Sequence, residues 1–328
     1  MTVLVTGATG FIGKALTESL LASGQQVRVL VRRPAEAAAA GLTEVELCEG
    51  DITDAEAVDR AVAGIDTVYG IAGTFREPNL TDDRYREVNV EAVRLMMEAA
   101  RRHGVRRVIH CSTVGIHGNV VGSPASETTP IRPDGIYEIT KAEGDQLALS
   151  YAGNGVEIVA VRPAPVYGPG DTRLVKLYQL AGRKRVILLG NGRPRYHMSY
   201  IDDLVAAFRR AAETPGVSGE AFIIAGDEIP TLEEVIREIG QLSGHADQTL
   251  VKVPAGPLLL AGDLCEWICR PLGISPPIYR RRIEFFVNNR AYDTTKARTR
   301  LGFTPGVSLG NGLTRTLAWY RAQGLVAS

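Results

Sequence analysis

Cysteine is scarce. The 328 residues hold four, Cys48, Cys111, Cys265 and Cys269, too few and too scattered for a disulfide framework, and a reducing compartment fits that usage. Cys265 and Cys269 stand four apart in an apolar stretch, which places them on one helical face. A metal site would want further His or Cys neighbours, and no cluster has metal-ligand spacing. An excess of one charge is also lacking: 37 basic residues meet 37 acidic ones, so the chain as a whole has no electrostatic footprint for DNA, RNA or an anionic membrane surface. The most apolar later run, Pro254 to Leu264, falls well short of the ~20 residues of a membrane span. At the start, Met1-Thr2-Val3-Leu4-Val5 has no basic segment before it, so a secretory leader is not expected and a cytoplasmic chain is. Repeats and low-complexity segments are absent beyond the short run Ala37–Ala40.

What remains is an ordinary globular chain of roughly two domains at ~150 residues each, rich in glycine where backbone must turn tightly or approach a ligand. Strand and helix signals alternate over the first 165 residues. Val3–Val5, Val27–Val31, Val45–Leu47, Thr67–Ile71, Val108–Cys111 and Val156–Val161 read as strands. Helical patterns lie between them, among them Asp82–Arg102 and Ile136–Tyr151. That alternation predicts an α/β fold, a doubly wound parallel sheet covered on both faces. Residues 1–170 are expected to form a dinucleotide-binding domain. Residues 171–328, with helical stretches near Leu204–Ala212, Thr231–Leu242 and Leu309–Arg321, are expected to form a smaller, mostly helical lobe, parts of which return to the first domain.

Three features carry chemistry. Thr6-Gly7-Ala8-Thr9-Gly10-Phe11-Ile12-Gly13 joins the first strand to the first helix, where glycines let backbone approach a pyrophosphate at a helix N-terminus. Arg32 and Arg33 end the second strand, where an NAD site usually offers an acid to the ribose 2′-hydroxyl; a guanidinium suits a 2′-phosphate, so NADP is favoured over NAD. Tyr137 and Lys141, four apart on a helix, share a face, and the cation can help the phenol act as an acid or base near neutrality. Thr113, after the fifth strand, can orient a substrate oxygen or simply bond the backbone.

In this order the motifs resemble the extended short-chain dehydrogenase/reductase family, over nearly the whole chain. The set comprises the glycine turn, Gly50-Asp51-Ile52, Ile71-Ala72-Gly73, Val88-Asn89-Val90, Cys111-Ser112-Thr113, Tyr137-xxx-Lys141 and Arg162-Pro163-Ala164-Pro165-Val166-Tyr167-Gly168-Pro169-Gly170-Asp171. Tyr200-Ile201-Asp202-Asp203-Leu204 and Asp293-Thr294-Thr295-Lys296-Ala297-Arg298 resemble its later motifs. The resemblance implies a Rossmann-type sheet, with Tyr137 as general acid/base, Lys141 holding the nicotinamide ribose and Thr113 polarising the carbonyl. Asp51 and Ile52 would touch the adenine, Ala72 and Gly73 would line the cofactor channel, and Asn89 and Pro163 would complete it. A homodimer through the 82–102 and 136–151 helices is also implied.

The substrate is less defined. Pro165 stands where sugar-nucleotide epimerases of this family often carry Asn, and the Arg162-Pro163-x-x-Val166-Tyr167-Gly168 form and the apolar stretch Pro254–Leu264 look like the sterol and 3β-hydroxysteroid dehydrogenase branch, whereas Arg195, seven residues before Asp202, matches an arginine of the sugar-nucleotide epimerases. His117 and Arg195 are the substrate-side candidates. The expected activity is interconversion of a secondary alcohol and a ketone on a small molecule, with a sugar-nucleotide epimerase or dehydratase as the alternative. A non-catalytic NADP sensor is the third reading, against which the intact Thr113, Tyr137 and Lys141 set argues. The run Arg280–Arg282 could meet an anion or form a plain solvated helix face.

Overall fold

A computed structural model describes residues 2–75, 80–122, 124–269 and 280–327. Seven strands form one parallel sheet: β1 (Thr2–Thr6), β2 (Gln26–Val31), β3 (Glu46–Glu49), β4 (Thr67–Gly70), β5 (Arg107–Cys111), β6 (Glu157–Pro163) and β7 (Glu220–Ile224). Their order across the sheet is β7-β6-β5-β4-β1-β2-β3. The chain runs outward from β1 to β3, then returns to the other side of β1 to begin β4. A crevice opens at that reversal, beyond the carboxyl ends of the strands, and it is where such sheets bind ligands.

Apart from the exposed edge strand β3, Glu-Leu-Cys-Glu, the strands are rich in apolar residues because both faces are covered. Val3 and Val5 face one core with Leu16, Leu20, Val29, Ile109 and Val159. Leu4, between them, faces the other with Val58, Val62, Val68, Val108 and Ile158. The period of two therefore appears as a division between two cores rather than between core and solvent.

Residues beyond 171 build more of the sheet than the sequence pattern announces. The helix Ile201–Glu213 lies against β5, β6 and the first helix, Phe11–Ala22, and β7 extends the sheet beside β6. The rest of the lobe is mostly helical, with a two-stranded parallel sheet of Arg185–Leu189 and Thr249–Val253. Thr231 starts the helix Leu232–Leu242 with a full capping box to Glu234. No described helix is long and apolar enough to cross a membrane.

Candidate active site

One end of the crevice is made of backbone. Gly7 follows β1 in the left-handed region (φ +68°), and a side chain there would press to 2.9 Å from the Ala72 backbone. Gly10 N–H donates to the Gly7 carbonyl (3.0 Å), and a Cβ on Gly13 would fall far inside contact with that same oxygen. The helix Phe11–Ala22 therefore begins pressed onto the turn. Its N-cap, Gly10, has no side chain, so no capping oxygen occupies the first-turn donors. An anion fits a helix N-terminus left in that state. Thr6 Oγ1 accepts from Ala72 N–H (3.2 Å), tying the ends of β1 and β4 together beneath the crevice.

Asp51 follows β3. Burial opposes its charge, but Thr53 N–H (3.0 Å), the Thr53 hydroxyl (2.9 Å) and Arg84 hold its carboxyl below the usual value. Ile52, half-buried, packs on the second core. Arg32 and Arg33 are both exposed at the end of β2. Arg33 pairs with Glu36, while Arg32 has no ion pair among the described residues.

The other end is made of side chains. Tyr137 and Lys141 sit on the helix Ile136–Ser150, with Tyr137 half-buried and Lys141 only 4% exposed. Lys141 Nζ donates to the Cys111 carbonyl at the end of β5 (2.6 Å). Burial pushes the Lys141 pKa down and the Cys111 thiol up. Gly73 closes over this point, since a Cβ there would meet Asn89 Oδ1 at 3.3 Å and Lys141 Nζ at 3.7 Å. Thr113 caps the 3₁₀ turn Val114–His117, its oxygen accepting from Gly115 N–H (3.1 Å). That is the plain strand-end bond, and it spends the oxygen while no described residue takes the hydroxyl proton.

Asn89 lies in a π-helical turn, Glu87–Glu91, that interrupts the predicted 82–102 helix. Its side chain accepts from Thr74 N–H (3.0 Å) and donates to the Thr140 hydroxyl (3.0 Å), joining the loop after β4 to the Tyr137 helix. The widened turn sets the Asn89 carbonyl against Gly144, where any Cβ would collide with it. Asn89 is thus a buried brace rather than a stray polar residue.

Asp145, Arg173 and Phe75 also reach this end and were not anticipated. Asp145 continues the 137, 141, 145 face and holds Arg162 through two bonds (2.6 and 3.2 Å) in the interior. Burial works against the Asp145 carboxylate, and Arg162 more than offsets it, holding the pKa low. Arg173 is gripped by the buried Asp171 (2.6 Å) and the Val166 carbonyl (3.1 Å). Its guanidinium lies 5.3 Å from the Phe11 ring and 5.6 Å from Phe75, and Phe75 meets Tyr137 edge to face at 4.9 Å. Arg173 thereby spans from the glycine turn to the tyrosine. The signals were present in the sequence: an acid one turn past Lys141, and an arginine two residues after Asp171.

Three candidates remain. His117 is buried, with burial and then nearby Arg162 pushing its pKa down. Arg195 is exposed; its guanidinium donates to the Ile229 carbonyl (2.8 Å) and its backbone is tied to Asn289 and Arg290, none of them a residue expected at the site. Pro163 ends β6 opposite Ile224.

Comparison with known proteins agrees with this geometry. The profile of the NAD dependent epimerase/dehydratase family matches residues 3–225. Sterol demethylase protein B of Methylococcus capsulatus is 30% identical over 99% of the chain and 100% of its own length. The 2-alkyl-3-oxoalkanoate reductase of Stenotrophomonas maltophilia is 30% identical over 97% and 99%. Among solved structures, MoeE5 in complex with UDP-glucuronic acid and NAD superposes with a TM-score of 0.76 at 26% identity, covering 98% of this chain and 100% of that one.

Proposed function

This chain belongs to the NAD dependent epimerase/dehydratase family, and from that premise we propose that it interconverts a secondary alcohol and a ketone on an apolar substrate. It is an NAD(P)-dependent oxidoreductase of the extended short-chain dehydrogenase/reductase type. The observation that carries the reading is the bond from buried Lys141 Nζ to the Cys111 carbonyl at the end of β5, with Tyr137 one turn earlier on the same helix and Thr113 two residues further along the chain.

The residues fit a dinucleotide. Gly7, Gly10, Phe11, Ile12 and Gly13 would receive the pyrophosphate, Asp51 and Ile52 the adenine, and Ala72, Gly73, Asn89 and Pro163 would line the channel. Arg32 and Arg33, exposed where a ribose 2′-phosphate would lie, support NADP as the preferred form. When bound, the nicotinamide supplies the hydride acceptor or donor. The Tyr137 hydroxyl would take the alcohol proton or return it to the ketone oxygen, and the Thr113 proton would hold that oxygen in place. Lys141 would hold the ribose and favour the phenolate; its hydrogen bond to the Cys111 carbonyl supports a fixed position. Residues 1–170 would serve the cofactor and 171–328 the substrate, in a homodimer formed through the 82–102 and 136–150 helices.

An apolar substrate is supported by Phe75 beside the tyrosine and by the relatives whose names refer to sterols or alkyl oxoalkanoates. Arg173, between the Phe11 and Phe75 rings, would suit a substrate carboxylate such as that of an oxoalkanoate. A sugar-nucleotide epimerase or dehydratase is the second reading, favoured by the UDP-sugar complex of MoeE5. The two differ in cofactor balance, because an epimerase or dehydratase returns its hydride within each turnover. The test is absorbance at the reduced-nicotinamide band with 3-hydroxysteroids, 2-alkyl-3-hydroxy acids and UDP- and dTDP-sugars. Stoichiometric reduced cofactor from an apolar alcohol is expected. Sugar conversion without net reduction would overturn the reading.

A further inference from the structure

We propose that Cys265 and Cys269 form a two-thiol site that a small-molecule disulfide oxidises reversibly, an inference that rests on the C-terminal lobe and not on the reading of the active site. Both residues lie on the helix Gly256–Cys269, one turn apart, and both are partly exposed. Their sulfurs stand 3.9 Å from each other, so the two side chains are turned together. Helical rise separates the Cα atoms by ~6 Å, inside the ~4.4–6.8 Å that a disulfide accepts. The Cβ atoms fit less well, at ~5–6 Å for this spacing against the ~3.5–4.5 Å of an unstrained bridge. Closing the bond therefore draws in one turn of the helix. A bridge strained in this way is readily reduced, so it can open again in a compartment where ordinary disulfides do not persist.

The other two thiols are not placed to pair with each other. Cys48 on β3 and Cys111 on β5 are separated by β2, β1 and β4, which at ~4.8 Å per strand keeps them ~19 Å apart. A metal ion is a poorer occupant for Cys265 and Cys269, because no third His, Cys, Asp or Glu joins them among the described residues. Two thiols alone suit exchange. One thiolate of the pair attacks a sulfur of glutathione disulfide, forming a protein–glutathione bond and releasing one glutathione thiolate. The second attacks the protein sulfur of that adduct, which closes the helix disulfide and releases the second glutathione. Two protein thiols are oxidised, one disulfide is reduced to two thiols, and the two protein protons end on the released glutathiones. Burial and then the neighbouring Cys265 hold the Cys269 thiol above its usual value, so the protons leave in sequence, as two successive exchange steps require. The bridge acts on the helix and on its seat against Arg280–Val287, where Phe285 and Phe286 pack on the larger core.

The test titrates the full chain with glutathione buffers of rising disulfide content, quenches with N-ethylmaleimide and maps the peptides by mass. The parent should lose two of its four thiols as one intrachain bond, confined to the peptide that holds Cys265 and Cys269, and dithiothreitol should restore both. Cys265→Ser and Cys269→Ser each leave one thiol of the pair. Each variant should stop at the glutathione adduct, which the parent resolves at least about tenfold faster because its second thiol is held beside the first. Cys48→Ser should oxidise as the parent does. Four thiols that survive the oxidising buffers would overturn the proposal. So would a stable glutathione adduct in the parent, a bond that reaches Cys48, Cys111 or a second chain, or paired-site serine variants that clear the adduct at the parent's rate.

Discussion

At the glycine-turn end of the crevice the groups proposed to meet a ligand are backbone, while at the Tyr137 end they are side chains held by other side chains. The difference decides how each end can fail. Backbone recognition at Gly7, Gly10 and Gly13 depends on an absence of atoms, so any addition is harmful and no deletion is possible. Side-chain chemistry at Thr113, Tyr137 and Lys141 depends on particular oxygens and a nitrogen, so it can be removed one atom at a time with the packing kept. Recognition and reaction should therefore be separable by mutation.

Gly13→Ala gives the largest expected change. The added methyl falls on the Gly7 carbonyl oxygen, and neither backbone segment can give way without moving β1 or the first helix. Overpacking of this kind costs roughly 1–3 kcal/mol of stability. Cofactor binding should be lost as well, read as a lowered unfolding midpoint that added NADP no longer raises. An unchanged affinity would break the contrast between the two ends.

Arg32→Asp acts more mildly, because it changes an exposed side chain beside the backbone cradle. Losing one charge-assisted contact should cost about 1.5–3 kcal/mol, roughly ten- to a hundredfold in NADP affinity, while NAD affinity holds or improves. Titration by quenching of intrinsic fluorescence distinguishes the two. Equal affinities for both cofactors in the parent chain would sink the assignment.

The smallest effect concerns the interior beneath Lys141. His110 is buried in β5, and burial, aided by Lys141, pushes its pKa to about 3, so it stays neutral in the folded chain. The unfolded chain takes up the proton first. The contribution to stability is therefore complete above pH ~6.5 and is lost as pH falls from there toward the folded value. One such proton sets a slope of up to about 1.4 kcal/mol per pH unit. Denaturant unfolding at pH 7 and pH 5 should show that loss, and His110→Leu should flatten it in part, since His117 and His197 are shifted the same way. The carboxylate of Asp145, held low, keeps its contribution to stability across this window and loses it only at more acidic pH. An unaltered slope in the variant would remove His110 from the account.

Much of the backbone end was legible in the sequence because its signals are local. Gly7, Gly10 and Gly13 stand between a strand and a helix within eight residues, and six strands declared themselves through short apolar-rich segments, although the edge strand Glu46–Glu49 is largely exposed. The seventh strand escaped because five residues, Glu220–Ile224, sit between helices of a lobe whose pattern is otherwise helical. The side-chain end was half legible. Tyr137 and Lys141 are set by helical spacing, but the braces come from distant elements: Asp145 reaches Arg162 on β6, Asn89 reaches Thr74 and Thr140, and Arg173 reaches both Phe11 and Phe75. The π-helical turn at Glu87–Glu91 answers to Gly144 on another helix, where the Asn89 carbonyl comes too close for any Cβ.

The most direct measurement is Tyr137→Phe, with turnover and cofactor dissociation constant determined on the same preparation. The substitution keeps the ring beside Phe75 and removes the one hydroxyl assigned to proton transfer. The expected result is turnover reduced by ~10²–10⁴-fold with cofactor affinity within about twofold of the parent. Near-full turnover would contradict the account, because the reacting proton would then pass through a group on another element.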